Sequence, residues 1–187
     1  MIGLKSYAKE NKIPIISDDG LLFLLDLLNI SKIETMLEIG TAIGYTAIVF
    51  AKKGVFVDTI ERDSKMIRLA KEHFILYNVL DKVTLYEKDA LELDLGDKMY
   101  DLIFIDAAKA QYQRFFEKYS KHLKPNGLIV CDNLDFHHLK PEMVSRHTRQ
   151  LLRKIHAFKS YLASHPTFDT TVYQIGDGMS VSKRKAE

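Results

Sequence analysis

The sequence predicts an α/β fold with a doubly wound, mostly parallel sheet and an antiparallel edge. Two observations carry this prediction. Short apolar runs of strand length alternate with longer segments of helical periodicity, which is the pattern of successive βα units. Near the end of the chain, two β-rich runs flank the turn Gly176-Asp177-Gly178, which is typical of a β-hairpin and therefore of an antiparallel strand pair.

The predicted strands are apolar runs rich in β-branched and aromatic residues and bounded by turn residues. In chain order they are residues 33–39, 55–60, 83–86, 100–105, 128–131, 170–175 and 179–182. The first, second and fourth are each followed by a helical segment and a further strand, so we expect the first five strands to run parallel. The last two form the predicted hairpin at the edge.

The predicted helices are placed by their start and stop signals. Ser17 with two following aspartates, and Ser64, are helix-capping residues, whereas Gly54 and residues 124–127 are stop signals. The resulting helices are residues 3–12, 20–28, 45–51, about 64–77, about 110–123 and about 141–164. We therefore expect one domain over residues 1–187, in which residues 1–12 form a short N-terminal helix or arm.

The composition narrows the classes to which the chain can belong. Its 187 residues suit one domain with a real core, and the net charge of +2 is too mild to indicate a nucleic-acid partner by itself. Residues 137–187, however, hold nine Lys or Arg against four Asp or Glu. The single cysteine, Cys131, favours a reducing compartment, and no apolar run reaches the length of a membrane span. We expect a cytoplasmic protein with no membrane partner.

A glycine turn joins the first predicted strand to its helix, with the spacing Glu38-x-Gly40-x-x-x-Gly44. Such a turn brings backbone N–H groups and a helix N-terminus close to a ligand. The dinucleotide fingerprint G-x-G-x-x-G is not matched, and a carboxylate at the turn would repel a pyrophosphate. Glu38 instead suits a cationic group such as the amine of an amino-acid moiety. The alternative is an ordinary βα turn without a ligand.

Acidic side chains follow the ends of the predicted parallel strands, and parallel strands bring those ends to one crevice. They are Glu38, Glu61, Asp89, Asp106 and the pair Asp132-Asn133. Glu61 is placed to accept two ribose hydroxyls, as in both NAD and adenosyl-methionine enzymes, and Asp89-Ala90 could contact an adenine amino group. Solvated acidic loop residues are the alternative for each of these positions.

The sharpest signal is the set Asp106, Asp132 and Asn133, which follow two strands expected to be neighbours. Two carboxylates and an amide oxygen are hard ligands that suit Mg²⁺. Lys109 lies three residues after Asp106, and a nearby divalent cation would lower its pKa and make it a usable general base. The alternatives are a simple turn at Asp132-Asn133 and an ordinary surface lysine.

With these residues in place, the chain resembles the cation-dependent class I O-methyltransferases, the group that contains catechol and caffeoyl-CoA O-methyltransferases. The resemblance runs from about residue 13 to residue 181 and is carried by six motifs in the same order. These are residues 37–46, 59–63, 88–90, 100–109, 128–133 and 176–178. It implies a Rossmann-like seven-stranded sheet with the strand order 3-2-1-4-5-7-6.

The resemblance also implies two cofactors and a role for each matching residue. S-adenosyl-methionine would be held at its methionine end by Glu38, Gly40 and Thr46 beside Ile16, at its ribose by Glu61, at its adenine by Asp89 and Ala90, and further by Asp106. Mg²⁺ or another divalent cation would be bound by Asp106, Asp132 and Asn133, with Lys109 and Asp106 in catalytic roles. A homodimer is implied as well.

The methyl acceptor is predicted from the features in which this chain differs from other members of the family. The chain has no tryptophan that could pack against the aromatic ring of a substrate, and its N-terminal arm is short. We therefore expect an open acceptor site. It is most similar to the short bacterial members that methylate 5-hydroxyuridine at the tRNA wobble position, with a matching start at residues 13–16 and 19–20. The implied product is 5-methoxyuridine, and the implied partner is a tRNA anticodon stem-loop. Basic residues at roughly helical spacing that could contact its phosphates are Arg146, Arg149, Arg153 and Lys154.

Three alternatives stay open at this point. The same chemistry could act on a small catechol-like phenol, because a catechol and 5-hydroxyuridine each offer two adjacent oxygens to one cation. The chain could also be a non-catalytic RNA-binding module that keeps the fold. An NAD oxidoreductase is disfavoured by the glycine spacing.

Overall fold

The computed structural model describes residues 2–134 and 145–186, which build a seven-stranded sheet. The strands are β1 (Thr35–Ile39), β2 (Phe56–Glu61), β3 (Val83–Glu87), β4 (Tyr100–Ile105), β5 (Leu123–Cys131), β6 (Phe168–Tyr173) and β7 (Met179–Arg184). Their order is β3-β2-β1-β4-β5-β7-β6. Strands β1 to β5 are parallel, whereas β7 runs antiparallel to β5 and β6 antiparallel to β7. The predicted fold class and strand order are confirmed.

The helices of the described residues flank this sheet. They are α1 (Ile2–Glu10), α2 (Asp18–Ser31), α3 (Tyr45–Lys52), α4 (Ser64–Leu76), α5 (Tyr112–Tyr119) and α6 (Arg146–Ala163). Two 3₁₀ turns, Lys109–Gln111 and Ser120–His122, precede and follow α5. The expected start of the last helix, at residues 141–144, lies outside the described residues. Within residues 2–134 and 145–186 no helix is both long and apolar enough to cross a membrane.

The core has two layers, one on each face of the sheet. Alternate strand residues such as Met36 and Phe104 face the layer formed by α1 to α4. Their neighbours Leu37 and Ile103 face the layer formed by α5 and α6. Because side chains alternate along a strand, adjacent residues at a strand end belong to opposite faces. This alternation decides which of the predicted site residues can reach a ligand.

Three local predictions are corrected by the structure. Residues 124–127 do not end a helix but lie inside β5, which begins at Leu123 and has an irregular register against β4. The helix expected over 110–123 is a 3₁₀ turn, α5 and a second 3₁₀ turn. Helix α4 is capped by Asp63, whose Oδ1 accepts the backbone N–H groups of Lys65 and Met66, and not by Ser64.

Candidate active site

A cavity of about 410 Å³ opens at the edge where β1 to β5 end. Open α/β sheets place their ligands at this edge, because the strand-to-helix turns converge there. Most residues predicted to bind the methyl donor line its wall. They are Ile16, Gly40, Thr46, Glu61, Asp89 and Ala90.

The glycine turn lies directly against the end of β4. Gly40 has a φ of 104°, and a Cβ atom on it would lie 2.0 Å from the backbone oxygen of Asp106. Gly44 has a φ of 83° and precedes α3, whose first residues Tyr45 and Thr46 reach the cavity. Only glycine permits this close approach of the turn to Asp106.

Of the residues predicted to bind the methyl donor, Glu38 is the one that does not line the cavity. It lies in register with Thr59 on β2, so both side chains point to the same face of the sheet. The Thr59 hydroxyl donates a 2.5 Å hydrogen bond to Oε2 of Glu38, which is only 1% exposed. Burial raises the pKa of Glu38 to about 8. Glu38 is therefore buried against β2, and its contact with a cofactor stays a prediction.

Glu61 and Asp89 organise the loops that form the other end of the cavity. Oε2 of Glu61 accepts the N–H of Ala42 in the glycine turn at 3.0 Å, while Oε1 accepts the N–H groups of Arg62 and Asp63. Asp89 accepts the N–H of Leu91 through Oδ1 and the Arg62 guanidinium through Oδ2. These contacts hold the pKa of Asp89 below its usual range, chiefly through the Leu91 bond. Asp89 thus stays charged at the cavity wall.

Asp106 and Asp132 are brought side by side by an extension of the parallel sheet. The N–H of Asp106 donates to the oxygen of Ile39, and the N–H of Asp132 donates to the oxygen of Ile105. Burial raises the pKa of Asp106 to about 6. Burial, with the charge of Asp106 next in size, raises the pKa of Asp132 to about 7. Both shifts thus come first from burial, and the charge of Asp177 adds to each of them.

Lys109 and Asn133 complete this part of the wall. The Lys109 ammonium donates a 2.7 Å hydrogen bond to Oδ1 of Asn133, and Nδ2 of Asn133 lies 3.5 Å from Oδ1 of Asp106. Asn133 has a φ of 61°, a left-handed conformation that asparagine tolerates better than most residues. Within residues 2–134 and 145–186, no three His, Cys, Asp or Glu side chains group as a metal site, so a cation here would need the amide oxygen.

The predicted RNA-contacting residues lie on α6, away from the cavity lining. All four are exposed, while Ile155, Phe158 and Leu162 on the opposite side of the helix are buried. The four are Arg146, Arg149, Arg153 and Lys154. Helix α6 packs against the 3₁₀ turn Lys109–Gln111, which lines the cavity. The basic face therefore belongs to an element that adjoins the site.

Comparison with known proteins decides the family. A family model described as O-methyltransferase matches residues 4–185, which is nearly the whole chain. The chain belongs to the O-methyltransferase family. A catechol O-methyltransferase from Niastella koreensis is 26% identical over 175 residues, covering 86% of this chain and 77% of the relative.

Solved structures agree with this O-methyltransferase in fold. A Staphylococcus aureus protein provisionally named caffeoyl-CoA O-methyltransferase is 37% identical, with a TM-score of 0.93 over 97% of this chain and 90% of that one. A Bacillus cereus O-methyltransferase in complex with S-adenosyl-homocysteine is 26% identical, with a TM-score of 0.79 over 97% and 88% of the two chains.

The structure of this O-methyltransferase adds wall residues that sequence reasoning missed. Asp177, in the turn before β7, lines the cavity, and its charge raises the pKa values of Asp106 and Asp132. Gln111 lies two residues after Lys109 on the same turn and also lines the cavity. The motif that contains Asp177 was visible in the sequence, but nothing local indicated that its turn folds over the strand ends.

Proposed function

We propose that this O-methyltransferase transfers the methyl group of S-adenosyl-methionine to the 5-hydroxyl of 5-hydroxyuridine at the tRNA wobble position, with a divalent cation, giving 5-methoxyuridine. The observation that carries the proposal is one arrangement of neighbouring groups. Asp106, Lys109, Asp132 and Asn133 share a cavity wall with the glycine turn, and the basic helix α6 packs against the turn that holds Lys109.

The cavity walls fit S-adenosyl-methionine by their chemistry. The absence of a Cβ at Gly40 lets the glycine turn lie against the backbone of Asp106, and residues 40–42 of the turn line the cavity. Glu61 offers carboxylate oxygens of the kind that accept ribose hydroxyls, and the apolar side chains of Ile60, Ala90 and Phe115 suit a planar base. The negative charge around Asp106 suits a ligand whose amine and sulfonium are both positive.

The opposite part of the wall fits a hard divalent cation. Asp106, Asp132 and Asn133 supply three oxygen ligands, and Mg²⁺ ordinarily completes its shell with waters and substrate oxygens. Burial disfavours the charged form of both carboxyls, and a bound cation would offset that cost. The donor set therefore agrees with the metal that the family resemblance implied.

The chain's own residues position the acceptor and handle its proton. When bound, S-adenosyl-methionine supplies an electrophilic methyl group, and a divalent cation lowers the pKa of a coordinated hydroxyl. Lys109 lies where it can accept the hydroxyl proton once its bond to Asn133 is released. The Asp106 side chain is one of the proposed cation ligands, and its backbone lies against Gly40 in the turn proposed to hold the methyl donor. Asp106 thus lies between the acceptor and the methyl donor.

The choice of a tRNA acceptor is supported by α6. Its exposed arginines and Lys154 form a basic face that suits the phosphates of an anticodon loop. The helix that carries this face is in contact with the 3₁₀ turn Lys109–Gln111. A wobble base is single-stranded and can be splayed into a pocket. The homodimer and the cytoplasmic location implied by the sequence stay predictions.

The test is methyl transfer from labelled S-adenosyl-methionine to tRNA from a strain that lacks the gene, with and without EDTA. We expect label in 5-methoxyuridine after nucleoside digestion, and its loss on chelation. Nucleoside mass spectrometry of the same strain should detect 5-hydroxyuridine accumulation. The proposal would be refuted if no label entered 5-methoxyuridine and the modified nucleosides of tRNA were unchanged in the deletion strain.

Free catechol, assayed in parallel, distinguishes the second candidate function, methylation of a small phenol, from methylation of tRNA. The two adjacent oxygens of a catechol suit the same cation site, and the similarity to the catechol enzyme agrees with it. Turnover of catechol far above that of tRNA would favour a small-phenol methyltransferase. Binding of tRNA without any methyl transfer, unaffected by Asp106→Ala, would favour a non-catalytic RNA-binding module.

A further inference from the structure

The peptide group that joins Asp132 to Asn133 is held at both of its polar atoms. Its N–H, which belongs to Asn133, donates a 2.7 Å hydrogen bond to Oδ1 of Asp132. Its oxygen, which belongs to Asp132, accepts a 3.0 Å hydrogen bond from the hydroxyl of Tyr112, the first residue of α5. Because this peptide joins two of the three proposed cation ligands, its orientation sets the directions in which both side chains leave the backbone.

The backbone at Asn133 has a conformation that its surroundings must maintain. Its φ of 61° is left-handed, and such a conformation costs free energy in residues other than glycine unless neighbouring contacts enforce it. On the far side, the N–H of Leu134 donates to the backbone oxygen of Gly178. Within residues 2–134 and 145–186, Tyr112 and Asp132 are the residues whose side chains bond to the peptide itself.

Tyr112 is fixed in place by its own packing. It is only 1% exposed, and its ring lies edge-on to that of Phe158 on α6, with the two ring centroids 5.7 Å apart. A buried hydroxyl needs a hydrogen-bond partner, and here the partner is the backbone oxygen of Asp132. The hydroxyl therefore meets the peptide from a rigid part of the core.

The Tyr112 bond also links the segment of the proposed base to the segment of the cation ligands. Tyr112 directly follows the turn Lys109–Gln111. The other bond between these segments, from Lys109 to Asn133, uses the amide oxygen that a cation would need. The Tyr112 bond uses a backbone oxygen instead, so it can persist when the side chains of Asp132 and Asn133 bind a cation.

We infer that Tyr112 is a positioning residue of the proposed cation site, whose hydroxyl holds the peptide between Asp132 and Asn133 so that both side chains present their oxygens to the cation. It acts through the backbone and does not line the cavity. The inference rests on the cation part of the proposed function and is independent of the acceptor.

Binding of Mn²⁺, which prefers the same oxygen ligands as Mg²⁺, tests this inference without an acceptor. Electron paramagnetic resonance measures free Mn²⁺ during titration of the full chain with saturating S-adenosyl-homocysteine. Tyr112→Phe removes one oxygen and keeps the packed ring. It should raise the dissociation constant for Mn²⁺ by about tenfold, as loss of a group that orients a metal ligand usually does. Affinity for S-adenosyl-homocysteine, measured by calorimetry without a cation, should stay unchanged.

Tyr119→Phe is the matched control. Tyr119 is fully buried on the same helix, and its hydroxyl also donates to a backbone oxygen, that of Ala90 on the cofactor side of the cavity. Each variant loses one buried hydrogen bond, so both melting temperatures should fall by a similar amount, about 2 to 4 °C. Tyr119→Phe should nevertheless keep the affinity for Mn²⁺ of the unmodified protein.

The inference is overturned if Tyr112→Phe binds Mn²⁺ as tightly as the unmodified protein does. It is also overturned if Tyr119→Phe loses the same affinity for Mn²⁺, because the effect would then follow from stability alone. Loss of S-adenosyl-homocysteine binding together with Mn²⁺ binding in Tyr112→Phe would make Tyr112 a determinant of the fold, with the same consequence. Failure of the unmodified protein to bind Mn²⁺ would instead refute the cation part of the proposed function, and the inference with it.

Discussion

The Lys109 ammonium and the Asn133 amide oxygen lie 2.7 Å apart, joining the turn after β4 to the residue after β5. This bond uses the oxygen that a divalent cation would need. A cation bound to the same amide oxygen would lie close to the Lys109 ammonium and repel it. The contact therefore joins the residue proposed as the base to a residue proposed to bind the cation.

Lys109→Met is expected to lower kcat for methyl transfer by about 10²- to 10⁴-fold, because it removes the proposed general base while keeping the length of the side chain. Affinity for S-adenosyl-homocysteine should change less than about twofold, since Lys109 bonds to Asn133 on the cation side of the cavity. Single-turnover kinetics with saturating Mg²⁺ measures the first quantity. Lys121→Met, at an exposed lysine beyond α5, is the control, and an equal reduction of kcat in it would contradict the assignment.

The cation requirement should depend on pH. In the cation-free protein the pKa values of Asp106 and Asp132 are raised to about 6 and about 7, so protons compete with the cation as the pH falls below 7. The Mg²⁺ concentration for half-maximal activity should rise about tenfold between pH 8 and pH 6, and added Mg²⁺ should restore the rate. Affinity for S-adenosyl-homocysteine, measured without Mg²⁺ at both pH values, serves as the control. A half-saturating Mg²⁺ concentration that is the same at both pH values would contradict this role.

Glu38→Gln should alter the pH dependence of stability. Burial raises the pKa of Glu38 from 4.5 to about 8, so between these values the folded protein holds a proton that the unfolded chain releases. The free energy of unfolding therefore falls as the pH rises through this window, by up to about 1.4 kcal/mol per pH unit, and the amide removes that decline. Urea titrations at pH 5, 6.5 and 8 measure it.

The control for Glu38 is Glu10→Gln, at an exposed position near the end of α1. Its stability relative to the unmodified protein should be the same at all three pH values. If the difference between Glu38→Gln and the unmodified protein were also independent of pH, Glu38 would not be protonated in the fold.

The double variant Arg146→Ala, Arg153→Ala should weaken binding of tRNA. Removal of two phosphate-binding side chains should raise KM for tRNA and reduce the slope of log K against log salt by about 2. Turnover of the free 5-hydroxyuridine nucleoside should stay unchanged, because these side chains do not line the cavity. Lys52→Ala, Lys53→Ala removes the same charge at the far end of α3 and is the control; an equal effect there would mean that only net charge matters.

The C-terminal ends of the parallel strands were predictable from the sequence, whereas the first residue of β5 was not. Pro125 and Gly127 are turn signals when read locally, yet Leu123 pairs with Tyr100 and the segment joins β5. A Cβ on Gly127 would lie 2.9 Å from the oxygen of Asp101, so the glycine serves strand packing. Pairing with a strand that lies well upstream in the chain outweighed the local signal.

Residue type and position after a strand identified most of the candidate site, because a parallel sheet brings every such position to one edge. The burial of Glu38 was not predictable locally because it depends on alternation: Leu37 and Ile39 face α5 and α6, so Glu38 faces the opposite layer. Gln111 and Asp177 were missed because their places on the wall depend on a 3₁₀ turn and a hairpin turn far apart in sequence.

The sequence by itself determined the fold class, the family and the chemical character of the site, since apolar periodicity, glycine spacing and the residues at strand ends are local properties. Only the tertiary structure decided which of those groups face the ligand and which stay inside the protein. The physical reason is that burial and partner contacts, such as those of Glu38 with Thr59 and of Lys109 with Asn133, arise from strands and turns that are distant in the chain.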